Sequence, residues 1–230
     1  SMSRFAISDI HGCAKTFRAL LDQLQLSSED TLYLLGDYID RGNDSKGVID
    51  IILALREEGM QVECLLGNHE WLLLNAMYET SRYENWLQRN GGAKTLESYG
   101  IDSEDYLSEM PEKHVKFFKS LSYIIELDDY ILVHAGINFR DDDPMSDYPA
   151  MIWIRDWQRY HDDKVTDGRP IVHGHTPRLS SYLQTDVTTP GTKSFNIDCG
   201  CVYNGSHFAG QLAALNLDTK TVVFQENIED

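Results

Sequence analysis

The sequence contains few basic residues and no long hydrophobic segment. Its 20 lysines and arginines stand against 37 aspartates and glutamates, and the formal net charge of -17 disfavours nonspecific binding to nucleic acid or anionic lipid. No stretch reaches the roughly 18 consecutive apolar residues of a membrane span, and the amino end lacks the basic and apolar segments of a signal peptide. We therefore expect a cytoplasmic protein with no nucleic-acid or membrane partner.

Cysteine is also scarce, with four residues in a chain of 230. Such a low number and the uneven spacing argue against the disulfide framework of small secreted proteins. Cys199 and Cys201 could form half of a zinc site, but no second cysteine pair accompanies them, and buried thiols are the favoured interpretation. We expect all four thiols to be reduced.

Short apolar runs alternate with helix-like segments in the amino-terminal half. The runs at 4–8, 31–35 and 62–66 are separated by segments whose apolar residues recur at helical spacing. Strands separated by helices predict a largely parallel sheet, with ligand sites beyond the carboxyl ends of its strands. Because 42% of the residues are hydrophobic, one core is sufficient, and we expect a single α/β domain over residues 1–230.

The pattern changes further along the chain. Runs at 123–127 and 130–133, and again at 212–217 and 221–224, flank short polar turns, as the strands of β-hairpins do. These hairpins predict antiparallel strands and a second sheet packed on the first. The helix-rich stretch at about 71–119 contains no clear strand, and we expect it to form a cap-like segment over the functional site.

Five apolar runs are each followed by a small residue and a potential metal ligand. The blocks are Ser8-Asp9-Ile10-His11-Gly12, Gly36-Asp37-Tyr38-Ile39-Asp40-Arg41-Gly42, Gly67-Asn68-His69-Glu70, His134-Ala135-Gly136 and His173-Gly174-His175-Thr176. Strand ends of this kind meet at one edge of a parallel sheet. The sequence therefore predicts that these side chains converge.

The residue types suit a pair of divalent cations. The predicted metal ligands are Asp9, His11, Asp37, Asn68, His134 and His175. Asp37 can bridge the two ions through its two carboxylate oxygens, and mixed nitrogen and oxygen ligation suits manganese, which we favour, as well as zinc or iron. Paired ions lower the pKa of a shared water and clamp the attacking and leaving oxygens of a phosphate ester. We therefore predict a hydrolase that forms no covalent intermediate.

Phosphate binding and proton transfer need further side chains. Arg41 and Arg155 are the candidates for phosphate recognition, because a guanidinium matches the phosphate oxygens and stays charged. His69, beside the candidate ligand Asn68, can protonate the leaving oxygen if a carboxylate stabilises its charged form. Asp40 is the candidate partner of His69.

The five blocks, in this order, resemble the signature of the metal-dependent phosphoprotein phosphatase (PPP) family within the calcineurin-like metallophosphoesterase fold. The resemblance extends over residues 9–175, and the blocks at 36–42 and 67–70 are highly specific together. It implies two mixed β-sheets packed as a sandwich and flanked by helices. It also implies that a metal-bridging hydroxide attacks phosphorus directly, with His69 as general acid.

The resemblance divides the ligands between the two ions. It assigns Asp9, His11 and Asp37 to one ion, and Asp37, Asn68, His134 and His175 to the other. This sequence departs from the family in two ways: Ser8 replaces the usual glycine, and His173 adds an imidazole that could support His175 or compete with it. The short chain and the block at 86–95 resemble small bacterial or phage-type members.

The resemblance favours phosphoserine and phosphothreonine in proteins as substrates, although a small phosphoester would also fit. Related enzymes with the same metal apparatus cleave dinucleoside tetraphosphates symmetrically, so a symmetric diadenosine tetraphosphate hydrolase is the alternative. An inactive phosphoprotein-binding module is a third hypothesis, which the intact ligand set disfavours. The sequence points to neither a particular regulatory partner nor a particular oligomeric state.

Overall fold

The amino-terminal part of the chain consists of three strand-helix repeats. A computed structural model of the chain describes residues 2–205, 208 and 210–230. The repeats are β1 Arg4–Ile7 with α1 Ala14–Leu24, β2 Thr31–Leu34 with α2 Ser45–Glu57, and β3 Gln61–Cys64 with α3 Asn68–Asn75. The strands pair in parallel, because each helix returns the chain to the same edge of the sheet. This confirms the predicted parallel core.

The rest of the described chain adds further helices and strands. The helices are α4 Thr80–Arg89, α5 Gly92–Tyr99, α6 Tyr106–Glu109, α7 Glu112–Lys119, α8 Tyr148–Trp153, α9 Asp163–Thr166 and α10 Ser180–Thr188. The strands are β4 Ile124–Glu126, β5 Ile131–Val133, β6 Ile171–His173, β7 Ser194–Asn196, β8 Gln211–Asn216 and β9 Val222–Glu226. Single 3-10 turns lie at Ala76–Tyr78, Pro144–Ser146 and Gln158–Tyr160.

The strands form two mixed sheets. The first has the order β3-β2-β1-β8-β9 and the second the order β4-β5-β6-β7. Both predicted hairpins are confirmed, since β4 pairs with β5 and β8 with β9 in antiparallel fashion. The carboxyl-terminal hairpin extends the first sheet by pairing β8 with β1, whereas the other hairpin begins the second sheet.

Alternating side chains in β2 show how the layers pack. Leu32 and Leu34 belong to a core shared with helices on the outer face of the first sheet, and Tyr33 belongs to a core between the two sheets. Val172 of β6 contacts that inner core from the second sheet, while Ile171 faces a third cluster beside α8. This period of two follows from strand geometry and gives the predicted sandwich flanked by helices.

The helices within residues 71–119 pack on the core at the outer face of the first sheet, through side chains such as Trp86, Leu96 and Phe117. The four cysteines are free and buried, in agreement with the prediction of reduced thiols. None of the helices in the described part of the chain has both the length and the apolar character needed to cross a membrane.

Candidate metal centre and active site

The predicted ligands follow the carboxyl ends of five strands. Asp9 lies two residues after β1, Asp37 three after β2, and Asn68 four after β3. His134 directly follows β5, and His175 lies two residues beyond β6. Because β1 to β3 are mutually parallel, as are β5 and β6, their ends lie at one edge of each sheet and the polar side chains meet there.

The carboxylate of Asp37 lies between two imidazoles. Its Oδ2 is 3.5 Å from Nε2 of His11 and 3.2 Å from Nε2 of His134. On the side of His11, the same Nε2 is 3.8 Å from Oδ2 of Asp9. The position of Asp37 between the two histidines is the arrangement that a bridging ligand requires.

A second group of atoms meets at Asn68. Its Oδ1 lies 3.0 Å from Nε2 of His134 and 3.1 Å from Nδ1 of His175. Atoms that surround a metal at about 2.1 Å are separated from one another by about 3.0 to 3.4 Å in octahedral or tetrahedral geometry. The distances between these side chains therefore fit a divalent ion.

Hydrogen bonds to the backbone fix the tautomers of two histidines. The Nδ1–H of His11 donates to the carbonyl of Ile39 over 2.8 Å, and the Nδ1–H of His134 donates to the carbonyl of Leu35 over 2.7 Å. Because a carbonyl can only accept, each neutral ring presents the lone pair of Nε2 to the centre of the cluster. That is the nitrogen a metal would bind.

The electrostatics favour a cation beside Asp37. Burial lowers the pKa of His134, but the carboxylates of Asp37 and Asp9 outweigh it and raise the pKa to about 10. Burial raises the pKa of Asp37, but His134 and neighbouring histidines hold it well below the usual range. Burial lowers the pKa of His11 and of His175 to about 3, so both rings are neutral. Of these three rings, His134 is the one whose surroundings favour a proton, and a divalent ion can occupy that position instead.

The backbone of the site is strained. Of ten described non-glycine residues with a positive φ, six are predicted site residues: Asp9, His11, Asp37, Asp40, Arg41 and His175. Their φ angles lie between 43° and 74°, in a region that costs a residue with a Cβ about 1–2 kcal/mol. Such outliers cluster at functional sites, where the surrounding structure holds them in place.

Two glycines allow the close approach of the carboxylates. A Cβ on Gly174 would lie 2.3 Å from Oδ1 of Asp9, and a Cβ on Gly67 would lie 2.3 Å from Oδ1 of Asp37. Ser8, the departure from the family pattern, donates its hydroxyl to Oδ1 of Asp9 over 2.5 Å. The serine thus contacts a candidate ligand directly.

His69 and Asp40 form a buried pair, as predicted. Nδ1 of His69 lies 2.7 Å from Oδ2 of Asp40. Burial alone lowers the pKa of His69, but the carboxylates of Asp37 and Asp40 outweigh it and raise the pKa. Asp40 also accepts hydrogen bonds from Nε1 of Trp86 over 2.8 Å and from Oγ1 of Thr95 over 2.6 Å. Helices α4 and α5 thereby fix the carboxylate that orients His69.

The two predicted arginines line the same cleft of about 200 Å³. The guanidinium of Arg41 donates to the hydroxyl of Tyr203 and lies 5.6 Å from the centre of its ring. The guanidinium of Arg155 donates to Oγ1 of Thr176 over 2.9 Å. All predicted ligands except the fully buried His134 line this cleft, as does His69.

The sequence blocks do not identify four residues that line the cleft: Asn90, Trp153, Asp198 and Tyr203. Asp198 is buried, and burial together with the charge of Asp9 raises its pKa well above the usual range. It follows β7 by two residues, so the strand-end pattern used for the other ligands could have found it. Tyr203 lies on a loop with no such signal.

The sequence allows His173 either to support His175 or to compete with it as a metal ligand. The ring of His173 lies at the end of β6, 4.9 Å from the ring of Trp157. Its side chain belongs to neither group of described side chains whose donor atoms could share an ion. One group consists of Asp37, His134 and His175, and the other of His11, Asp37 and His69.

Sequence comparison identifies the family. The profile of the calcineurin-like phosphoesterase family matches residues 2–208, and the chain belongs to this family. The resemblance inferred from the five blocks is therefore confirmed, and the protein is a metallophosphoesterase, a class that uses divalent metal ions.

Named relatives are similar over parts of the chain. It is 46% identical over 138 residues to the symmetrical bis(5'-nucleosyl)-tetraphosphatase of Erwinia tasmaniensis, which covers 59% of this chain and 45% of that protein. It is 26% identical over 225 residues to the asymmetrical bis(5'-nucleosyl)-tetraphosphatase PrpE of Oceanobacillus iheyensis, covering 86% and 83%. The chain thus spans less than half the length of the symmetrical relatives that match first.

A solved structure shows the same fold. A protein serine/threonine phosphatase from Saccharomyces cerevisiae superimposes with a TM-score of 0.64 at 16% identity, over 100% of this chain and 81% of that one. At such low identity the likeness concerns the fold alone.

Proposed function

We propose that this metallophosphoesterase hydrolyses a phosphoanhydride bond of dinucleoside tetraphosphates. The observation that carries the substrate class is the similarity to bis(5'-nucleosyl)-tetraphosphatases of both symmetrical and asymmetrical type. The sequence blocks alone had placed phosphoproteins first. The same cleft chemistry would serve a phosphate ester or a phosphoanhydride, and the similarity to these relatives favours the dinucleotide.

Six side chains would hold two divalent ions. Asp9, His11 and Asp37 would bind one ion, and Asp37, Asn68, His134 and His175 the other. Oxygen and imidazole ligands in these proportions suit manganese, and zinc or iron would also fit. When bound, the ions lower the pKa of a water and neutralise phosphate charge. In a chain with a net charge of -17, such a positive centre allows a polyphosphate to bind.

Arg41 and Arg155 would bind the phosphate oxygens. Both guanidiniums line the cleft, and each donates a hydrogen bond to a neighbouring hydroxyl, of Tyr203 and of Thr176 respectively. Held in this way, a forked donor loses less conformational entropy when it binds phosphate.

His69 would supply the proton of the leaving group. The ring lies in the cleft, and its Nδ1 is bound to Asp40, so Nε2 is the atom available to donate. A leaving alkoxide depends strongly on this proton, whereas a leaving nucleotide phosphate has a pKa of about 6 and leaves as an anion at neutral pH.

An exposed aromatic side chain of the cleft suits a nucleotide. The cleft, at about 200 Å³, has room for phosphate groups, and the nucleosides of a dinucleotide would lie outside it. Trp153 lines the cleft with 42% of its surface exposed, which offers a ring face for a base to stack on.

A substrate panel tests the proposal. Protein loaded with manganese is assayed with diadenosine tetraphosphate and, at equal concentration, with a phosphoserine peptide. We expect faster turnover of the dinucleotide, with product analysis separating symmetrical cleavage to two ADP from asymmetrical cleavage to ATP and AMP. The Asp37→Ala variant is the control, since it lacks the shared ligand and should be inactive. Turnover of the peptide alone would overturn the proposal in favour of a protein phosphatase.

A further inference from the structure

A second cavity lies beside the catalytic cleft, on the outer face of the second sheet. Its volume is about 480 Å³, and its lining includes His173 of β6, Ser194 of β7 and Trp157. This volume falls within the usual range of about 300–1,000 Å³ for small-molecule sites. No predicted metal ligand or catalytic residue lines the cavity.

His173, which lines this cavity, has an unused hydrogen-bonding atom. The residue is 2% exposed, and its Nε2 has no hydrogen-bond partner within the described part of the chain. Its Nδ1 lies 3.3 Å from the carbonyl oxygen of Gly174, a contact that requires a proton on Nδ1. In the neutral ring Nε2 is then an acceptor. A buried acceptor without a donor is costly, and a ligand with an N–H or O–H group would satisfy it.

The basic side chains that line the cavity are paired with acidic ones. Arg178 lies 3.7 Å from the carboxylate of Asp186, and Lys193 donates to Asp163 over 3.0 Å. Asp156 adds a further carboxylate to the lining, so the described lining offers no free positive charge. A polar ligand without net charge fits such a lining better than a phosphate group does.

The cavity and the catalytic cleft share a wall. Arg155 lines the cleft and Thr176 lines the cavity, and the two are joined by the hydrogen bond from Nη1 to Oγ1. The cavity is therefore adjacent to the cleft, and only this contact between Arg155 and Thr176 separates the phosphate-binding guanidinium from the cavity lining.

We infer that the second cavity binds the nucleoside at the far end of a dinucleoside polyphosphate, with His173 Nε2 accepting a hydrogen bond from the base or the ribose. The inference rests on the proposed function for its substrate. The cavity would then favour dinucleotides over simple phosphate esters, because a simple ester is too short to reach it.

Binding can be tested without turnover. Adenosine at millimolar concentration is added to 15N-labelled protein, and the indole N–H signals of the four tryptophans are followed by NMR. We expect saturable shifts of the Trp157 signal, with the signal of Trp86 unmoved. A shift of Trp153 without a shift of Trp157 would place adenosine in the catalytic cleft and overturn the inference.

Two matched variants test the cavity itself. Ser194→Phe fills the cavity, and Ser181→Phe makes the same change at an exposed position of α10 that does not line it. For Ser194→Phe we expect loss of the adenosine shift and a KM for diadenosine tetraphosphate raised about tenfold, with KM for phenyl phosphate unchanged. Ser181→Phe should behave as wild type. Retention of the adenosine shift and of the wild-type KM in Ser194→Phe would refute the assignment.

A third variant tests the cavity if Ser194→Phe does not fold. His173→Phe removes the unpartnered acceptor and keeps an aromatic ring, so the fold should tolerate it. We expect weaker adenosine binding by the folded variant, and unchanged adenosine binding would contradict the role of Nε2. If wild type binds adenosine at Trp157 but does not cleave the dinucleotide, the proposed function fails while nucleoside binding by the cavity stands.

Discussion

Replacement of His69 by asparagine removes the candidate proton donor and leaves an amide that can still contact Asp40. In the native site the ring is 3% exposed, and its Nδ1 lies 2.7 Å from the Asp40 carboxylate. The six candidate metal ligands are untouched by the change, so metal binding should persist. The variant therefore tests proton donation separately from metal binding.

The size of the effect should depend on the leaving group. General acid catalysis contributes about 10²–10⁴ in rate, and a factor of 10² equals about 2.7 kcal/mol of barrier. Phenyl phosphate releases a phenol whose pKa is about 10, so its kcat should fall by about 10² or more. A nucleotide phosphate with a pKa of about 6 needs little protonation, and kcat for diadenosine tetraphosphate should fall less than about tenfold.

The assay compares kcat of wild type and His69→Asn on both substrates at saturating manganese. Elemental analysis of the same samples controls for metal content, and circular dichroism controls for folding. Equal losses on the two substrates, or no loss on phenyl phosphate with metals retained, would remove His69 from the role of general acid.

Three further predictions follow from individual contacts. Trp86→Phe removes the indole N–H that donates to Asp40. The free energy of unfolding, measured by urea denaturation, should fall by about 1.5–3 kcal/mol. A smaller loss would show that this hydrogen bond contributes little to stability. Burial lowers the pKa of His114 in the folded protein, so the stability that the neutral ring contributes is present above the unfolded pKa of about 6.5 and is lost as pH falls. Between pH 7.5 and pH 5, His114→Gln should therefore lose less stability than wild type. Parallel curves of unfolding free energy against pH for the two proteins would contradict this. In Gly174→Ala the new Cβ would lie 2.3 Å from Oδ1 of Asp9, and we expect manganese affinity, measured by calorimetry, to fall about 10- to 100-fold; wild-type affinity would refute the steric argument.

The strand ends could be read from the sequence because two signals coincide there. Apolar runs of four to five residues identify strands, and polar residues directly after them must lie at one edge of a parallel sheet. This predicted the parallel core, both hairpins and the meeting of side chains as distant in sequence as Asp9 and His175, whose backbone N–H donates to Asp9 over 3.2 Å.

Contacts between distant segments could not be predicted in the same way. Trp86 and Thr95 reach Asp40 from 46 and 55 residues away, on helices whose amphipathic pattern defines a buried face and not the partner it meets. The direction of His173 depends on where β6 ends, and strand boundaries are the least certain part of a sequence prediction. The contact between Arg41 and Tyr203 depends on a loop, whose path no periodicity encodes.

The number of bound ions tests the assignment of two metal sites. Metal-free protein is titrated with manganese while bound metal and hydrolysis of diadenosine tetraphosphate are both measured. We expect two ions per chain and activity that follows the second ion. We also expect one ion in Asp9→Ala and the loss of both in Asp37→Ala, because Asp37 is shared. Full activity in metal-free protein, or two tightly bound ions in Asp37→Ala, would contradict the assignment.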